Sequence, residues 1–295
     1  TPYIIQKQIS PSQIITIYTN CEKIVSIYEL LCQHTFLQDY LTSNNIAQHG
    51  RSIIKDIEGI FNIEVSKDIT KQVYNKCFLN RNIDHKLDQY IENSMDSIVI
   101  LEAIKENLNN YILTGTKKTG LIKIDEPKTK ARSLILTDAS AIILRKKIPK
   151  STISIKYHSN YSNTTKTYKL DCSIIHIERC STKKGYHAVI SDTIIELSES
   201  IQESNKKMSM LLEELYIKWL TMFKTKHCEN LMHIIHYITQ LDIMINNANV
   251  AKKYNYCKPI IDHDTDMSYF EAKAMRHPLI EQINISLSFP TFDFH

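Results

Sequence analysis

Sixteen Lys and Arg side chains fall between residues 113 and 190 against five Asp and Glu, a local balance of +11, whereas the remainder of the 295-residue chain carries −7 and the whole only +4. Such side chains together neutralise a polyanion: ammonium and guanidinium groups bind phosphate oxygens and release counterions without reading sequence. A contrast this sharp marks a local surface that the modest net charge conceals, and nucleic acid is the first candidate for it. The side chains expected on loops and helix ends, best able to reach a duplex backbone, are Lys117, Lys118, Lys123, Lys128, Lys130, Arg132, Lys146, Lys147, Lys183 and Lys184. Tyr157, Tyr161, Tyr168 and Tyr186 could stack on unpaired bases, but aromatic residues in strands more often pack against neighbours.

Other chemistries find less support. Cys172, His176, Cys180 and His187 are zinc-ligand types, yet their spacing lacks the close pairing of common zinc sites, and alternation would spread Cys172, His176 and Cys180 along one strand face. No metal is expected. Asp262, His263, Asp264 and Asp266 lie in a polar stretch after Pro259 that reads as a solvated loop. Gly115 and Gly120 have the spacing of a phosphate-binding loop, but Leu121 stands where the Lys is required. No nucleophile sits in a setting such as G-x-S-x-G, so no catalytic residue is assigned. Seven scattered cysteines without a C-x-x-C pair suit a reducing compartment better than a disulfide framework. No apolar run approaches the roughly 20 residues that span a bilayer. The chain begins at Thr1 and reads as a piece of a longer protein.

The secondary structure on either side of the basic segment follows from residue spacing. Five Gly and seven Pro are too few for a fold of many tight turns, and the expected class is mainly α. Leu87, Ile91, Ile98, Leu101, Leu108 and Ile112 form a heptad-like seam, and a second runs from Ile194 through Ile201, Met208, Leu212 and Leu215 to Met222. These predict helices of roughly 40 and 50 Å. With the basic segment between them, the expected arrangement is an antiparallel pair carrying an insert at its tip, far from the core. Within the insert, residues 133–137, 151–158, 167–177 and 186–190 read as strands and 138–148 as a helix stopped by Pro149, a small α+β module. Upstream, 11–41 predicts one or two body helices with Ser10 as N-cap and Pro11 in the first turn. Downstream, 231–251 predicts a further helix that closes the body.

A resemblance gives this order a name. The run Leu241-Asp242-Ile243-Met244, the exit Tyr256-Cys257-Lys258-Pro259, and Met275-Arg276-His277-Pro278-Leu279-Ile280-Glu281 resemble the MutS mismatch-recognition family. There a helix with L-D, a Y-x-x-P exit and R-H-P-(L/V)-x-E lead from lever helices into an ATPase domain. Gln8-Ile9-Ser10-Pro11 with Ile17-Tyr18, and the turn Asn82 to Asp88, extend the resemblance across most of the chain. It implies a helical core at 1–86, an outgoing lever helix at 87–112, a basic α+β clamp at 113–190, returning lever and core helices at 191–260, and a connector at 261–295 toward an ATPase domain not contained here. It further implies duplex DNA as partner and a homodimer or heterodimer of MutS-like subunits. ATP and Mg are implied only for the domain not contained here, with no cofactor for this chain. The sequence departs from the family in lacking G-x-x-x-x-G-K-S/T and the mismatch-reading F-x-E, and in having Met275 where Gly is usual before Arg276. Two other readings stay open: a non-enzymatic coiled-coil scaffold whose basic module binds an acidic protein, and an RNA-binding module.

Overall fold

Ser10 and Pro11 open the first helix, as their residue types predict. The Ser10 hydroxyl accepts from the Gln13 amide, and the Gln13 side chain accepts from the Ser10 amide at 2.8 Å, a reciprocal capping box. The computed structural model describes residues 9–37, 45–70, 74, 76–113, 121–125, 132–180, 183–261, 268–277 and 292–294. The chain forms two units, Thr1–Thr239 and Gln240–His295.

In the first unit the body is built from α1 (Pro11–Cys32), α2 (Ile46–Ile60) and α3 (Ile63–Lys67). The stretch expected to be helical as far as Leu41 ends at Cys32, followed by a 3-10 turn at Thr35–Leu37. Ile14, Ile46, Ile53 and Ile57 are fully buried between α1 and α2. The two helices meet closely at Gly50, where an added Cβ would lie 2.5 Å from Val25 Cγ2, so only glycine fits without displacement. Phe61, Tyr74 and Phe78 complete an aromatic core with Tyr216, Trp219 and Phe223, and the buried Tyr216 hydroxyl donates to the Ile9 carbonyl at 2.8 Å.

Two long helices leave this body. Helix α4 (His85–Ile112) starts on Asp84, whose carboxylate accepts from the Lys86 and Leu87 amides. It runs antiparallel to the helix that follows the insert: Ser94 donates to Asn205 Oδ1 at 2.8 Å, and Lys207 lies over the Tyr90 ring. The two helical segments expected at 194–222 and 231–251 are one continuous helix of 63 residues, which is α6 (Asp192–Tyr254) in chain order. No Gly or Pro interrupts it, and the buried stripe continues through His227, Ile234 and Tyr237.

Between them lie α5 (Asp138–Lys147), a four-stranded antiparallel sheet and a separate two-stranded ribbon. The sheet has the order β1 (Lys123–Asp125), β2 (Ser133–Thr137), β6 (Tyr186–Ile190), β5 (His176–Arg179), and the ribbon is β3 (Thr152–Ser159) with β4 (Thr164–Asp171). The single strand expected at 167–177 is therefore two. Asp171 accepts from both the amide and the hydroxyl of Ser173, and this turn breaks the ladder. The insert builds its own core on the ends of the two long helices, and the tip of its ribbon returns to the start of α4. Its Leu134, Leu136, Leu144, Ile155 and Leu170 pack with Leu101, Ile104 and Leu108 of α4 and Ile194 of α6 in one cluster. At the tip of the ribbon, the Tyr161 carbonyl accepts from Arg81 at 3.1 Å and the Tyr161 ring lies under the guanidinium, just before α4 begins.

The second unit contains the end of α6 and the pair β7 (Ala272–Met275) and β8 (Phe292–Phe294). Helix α6 stops on Asn255, which has φ 52°, while the Tyr256 amide returns to the Ala251 carbonyl. Arg276 donates to the Tyr254 and Asn255 carbonyls at 2.9 and 3.1 Å. The R-H-P motif thus contributes a cation to a helix C-terminus, where the dipole favours one. No helix among the described residues is long and apolar enough to cross a membrane.

Candidate nucleic-acid interface

Of the ten cations singled out from the sequence, Lys117, Lys118, Lys128 and Lys130 lie outside the described residues. The other six fall at four places in the insert. Lys123 is exposed on β1, and Arg132 is half-buried just before β2, where its carbonyl accepts from Ser198. Lys146 and Lys147 are exposed in the last turn of α5, where positive charge also complements the helix dipole. Their neighbour Arg145 donates to the Ile177 carbonyl of edge strand β5 at 2.6 Å, which ties this helix end to the sheet. Lys183 and Lys184 are exposed in the turn before β6, and Lys183 pairs with Asp125 of β1 at 2.6 Å. Lys183 is thus partly neutralised by its own module.

The ribbon sorts its charges by face. Directly opposed residues of an antiparallel pair share a side, and successive residues alternate. One row is therefore Ile153 with Leu170, Ile155 with Tyr168, Tyr157 with Lys166, and Ser159 with Thr164. Ile155 and Leu170 of this row are buried, and Tyr157, Ser159 and Lys166 reach α4. Lys166 pairs with Glu92 at 3.0 Å and Asp96 at 2.8 Å, and these two carboxylates hold its ammonium above the ordinary lysine pKa. The other row holds Ser154 with Lys169, Lys156 with Thr167, and His158 with Thr165, all exposed. Its one acid is Asp171, at the far end opposite Thr152 and engaged by Ser173. Lys156 and Lys169 are diagonal neighbours, about 7–8 Å apart in such a ladder.

Lys156 and Lys169 belong to the basic segment but lie in strands, outside the loops and helix ends expected from sequence to hold the ten cations. The signal was present: alternation puts Lys156 on the side opposite Ile155 and Tyr157. Lys166 shows the converse. It counts toward the local excess of charge, yet it is committed inward to acids supplied by α4.

The zinc-type residues are dispersed. Cys172 is buried in the insert core, so it does not share a strand face with His176 and Cys180. His176 and His187 occupy opposite faces of the sheet, and His187 lies within 3.0 Å of Asp138, although not aligned for a hydrogen bond. Among the described residues no three His, Cys, Asp or Glu gather in a way that could hold a metal ion. The Asp262 to Asp266 cluster and the Gly115 to Gly120 segment lie outside the described residues.

No protein-family model matches the chain. Individual proteins do. A DNA mismatch repair mutS homologue of Acanthamoeba polyphaga mimivirus is 23% identical over 213 residues, covering 70% of this chain and 18% of that protein. The mitochondrial DNA mismatch repair mutS homologue of Sarcophyton glaucum is 28% identical over 106 residues, 35% of this chain and 11% of that protein. DNA mismatch repair protein MutS of Ehrlichia ruminantium (strain Gardel) is 22% identical over 273 residues, 92% of this chain and 28% of that protein. The chain is therefore similar to MutS homologues at low identity, and spans less than a third of the length of each of these relatives.

Proposed function

We propose that this chain is the DNA-gripping portion of a MutS-like mismatch-repair protein, holding duplex DNA by its phosphates through the basic insert. The carrying observation is the sorting of charge on the β3–β4 ribbon. Lys156 and Lys169 face outward among hydroxyl side chains, while Lys166 of the inner row is paired with Glu92 and Asp96 of α4. Lysines and hydroxyls on an exposed ribbon suit phosphate oxygens, which position a duplex without reading its sequence. Exposed Lys123, Lys146, Lys147 and Lys184 would widen the same cationic surface.

In this reading α4 and α6 are the lever helices and the insert is the clamp. Two such subunits, identical or related, would enclose the DNA. ATP and Mg would be bound by a domain outside this chain, which is assigned no catalytic residue. The test is binding of a linear duplex by the full chain across a salt series. Lys156→Ala with Lys169→Ala should weaken binding several-fold and make the log–log salt slope shallower by about two, one step for each lost phosphate contact. Unchanged affinity and slope would sink the assignment. A stronger hold on single strands or duplex RNA would favour an RNA-binding module instead.

A further inference from the structure

Asp96 sits on α4, outside the basic segment, and is only 9% exposed. Its carboxylate meets three donors, all from the inner row of the ribbon. Oδ1 accepts from the Ser159 hydroxyl at 2.5 Å, while Oδ2 accepts from the Lys166 ammonium at 2.8 Å and from the Tyr157 hydroxyl at 3.4 Å. Both strands are therefore held by one acid, Ser159 and Tyr157 from β3 and Lys166 from β4. Charge-assisted bonds of this kind are short and directional, and a nearly buried carboxylate is costly unless its lone pairs are filled.

We infer that Asp96 is a positioning residue for the duplex-binding surface, fixing the ribbon on α4 so that Lys156 and Lys169 face a phosphate backbone. The inference rests on the proposed function. Alternation supplies the geometry: the side chains that bind Asp96 are interleaved along the strands with those that face outward, so an anchored inner row sets the aim of the outer one. Nothing passes through Asp96 chemically. It acts through the ribbon.

The test turns on a conflict of sign. By Coulomb repulsion alone, a negative charge beneath a DNA-binding face weakens binding, so neutralising it should tighten the complex. Positioning requires the opposite. In the full chain, Asp96→Asn should weaken binding of a linear duplex several-fold, flatten the salt slope, and speed amide exchange between residues 152 and 171. Affinity equal to or tighter than that of the parent chain overturns the inference. Should Asp96→Asn fail to fold, Tyr157→Phe combined with Ser159→Ala removes two of the anchors without altering any charge. That variant must also weaken binding, and parent-like affinity overturns the inference equally. If Lys156→Ala with Lys169→Ala binds as the parent does, the underlying reading fails. If the lysines matter and the Asp96, Tyr157 and Ser159 changes do not, only the positioning role fails.

Discussion

His227 is fully buried in the middle of α6, and its ring nitrogens define a chain of hydrogen bonds across the α2–α6 contact. Asp56 lies 3.0 Å from Nε2, and Asn230 Nδ2 lies 3.1 Å from Nδ1. The amide nitrogen can only donate, so Nδ1 accepts and the ring proton sits on Nε2, directed at Asp56. Asn230 Oδ1 then accepts from His49, which stacks on His233. Protonating His227 would set two donors face to face at Asn230. Burial lowers the His227 pKa below its ordinary 6.5; the hydrogen bond and charge of Asp56 oppose this, and Lys226, itself paired with Asp56, adds to it. Below that ordinary value the unfolded chain takes up a proton that the folded one resists. The contribution is thus fully present above pH 6.5 and is lost as pH falls toward the lower folded value. Urea midpoints should fall between about pH 7.5 and about pH 5.5, and His227→Gln should flatten that part of the curve. An identical pH dependence in the variant would remove His227 as its source.

Continuity of α6 is the feature of the elements most open to challenge by substitution. Lys224 is exposed, in the stretch between the two segments that sequence spacing treats as separate helices. Lys224→Pro removes an internal hydrogen bond and crowds the carbonyl one turn back, so it should cost about 3 kcal/mol or more in chemical denaturation. A chain that broke near this point would tolerate the same change almost without loss. Spacing in sequence is enough for the long helices because their seams have a period that only a helix satisfies, and Ser10 signals the start of α1. It failed between Met222 and Leu231 because charged and polar residues there mimic a loop, although no helix breaker is present. It failed at Cys172 because the turn depends on the Asp171 side chain bonding to Ser173, which alternation of residue types does not register. At the site, the excess of positive charge was legible and its orientation was not. Lys156 and Lys169 are distinguished from Lys166 only once the ribbon has an inner side, and that side is defined by α4, far away in sequence.

In the proposed reading the partner is recognised by its backbone rather than by its bases. The exposed lysines of the insert are carried by strands, a helix end and a turn, and the family's F-x-E motif is not present in the chain. Matched and mismatched duplexes of equal length should therefore bind with the same affinity, both weakening steeply with salt. A several-fold preference for a mismatch in direct competition would mean that this chain reads bases. Helix α6 adds a constraint of another kind. Its Ile194 and Leu197 belong to the insert core, whereas Tyr216 and Phe223 belong to the aromatic core of the body. Between these stations the hydrogen-bonded spiral has no loop that could absorb a miscount. Deleting one exposed residue there would rotate one station about 100° against the other, turning a buried face toward water. A stretch that tolerates exchange of its surface side chains should for this reason tolerate almost no change in its number of residues.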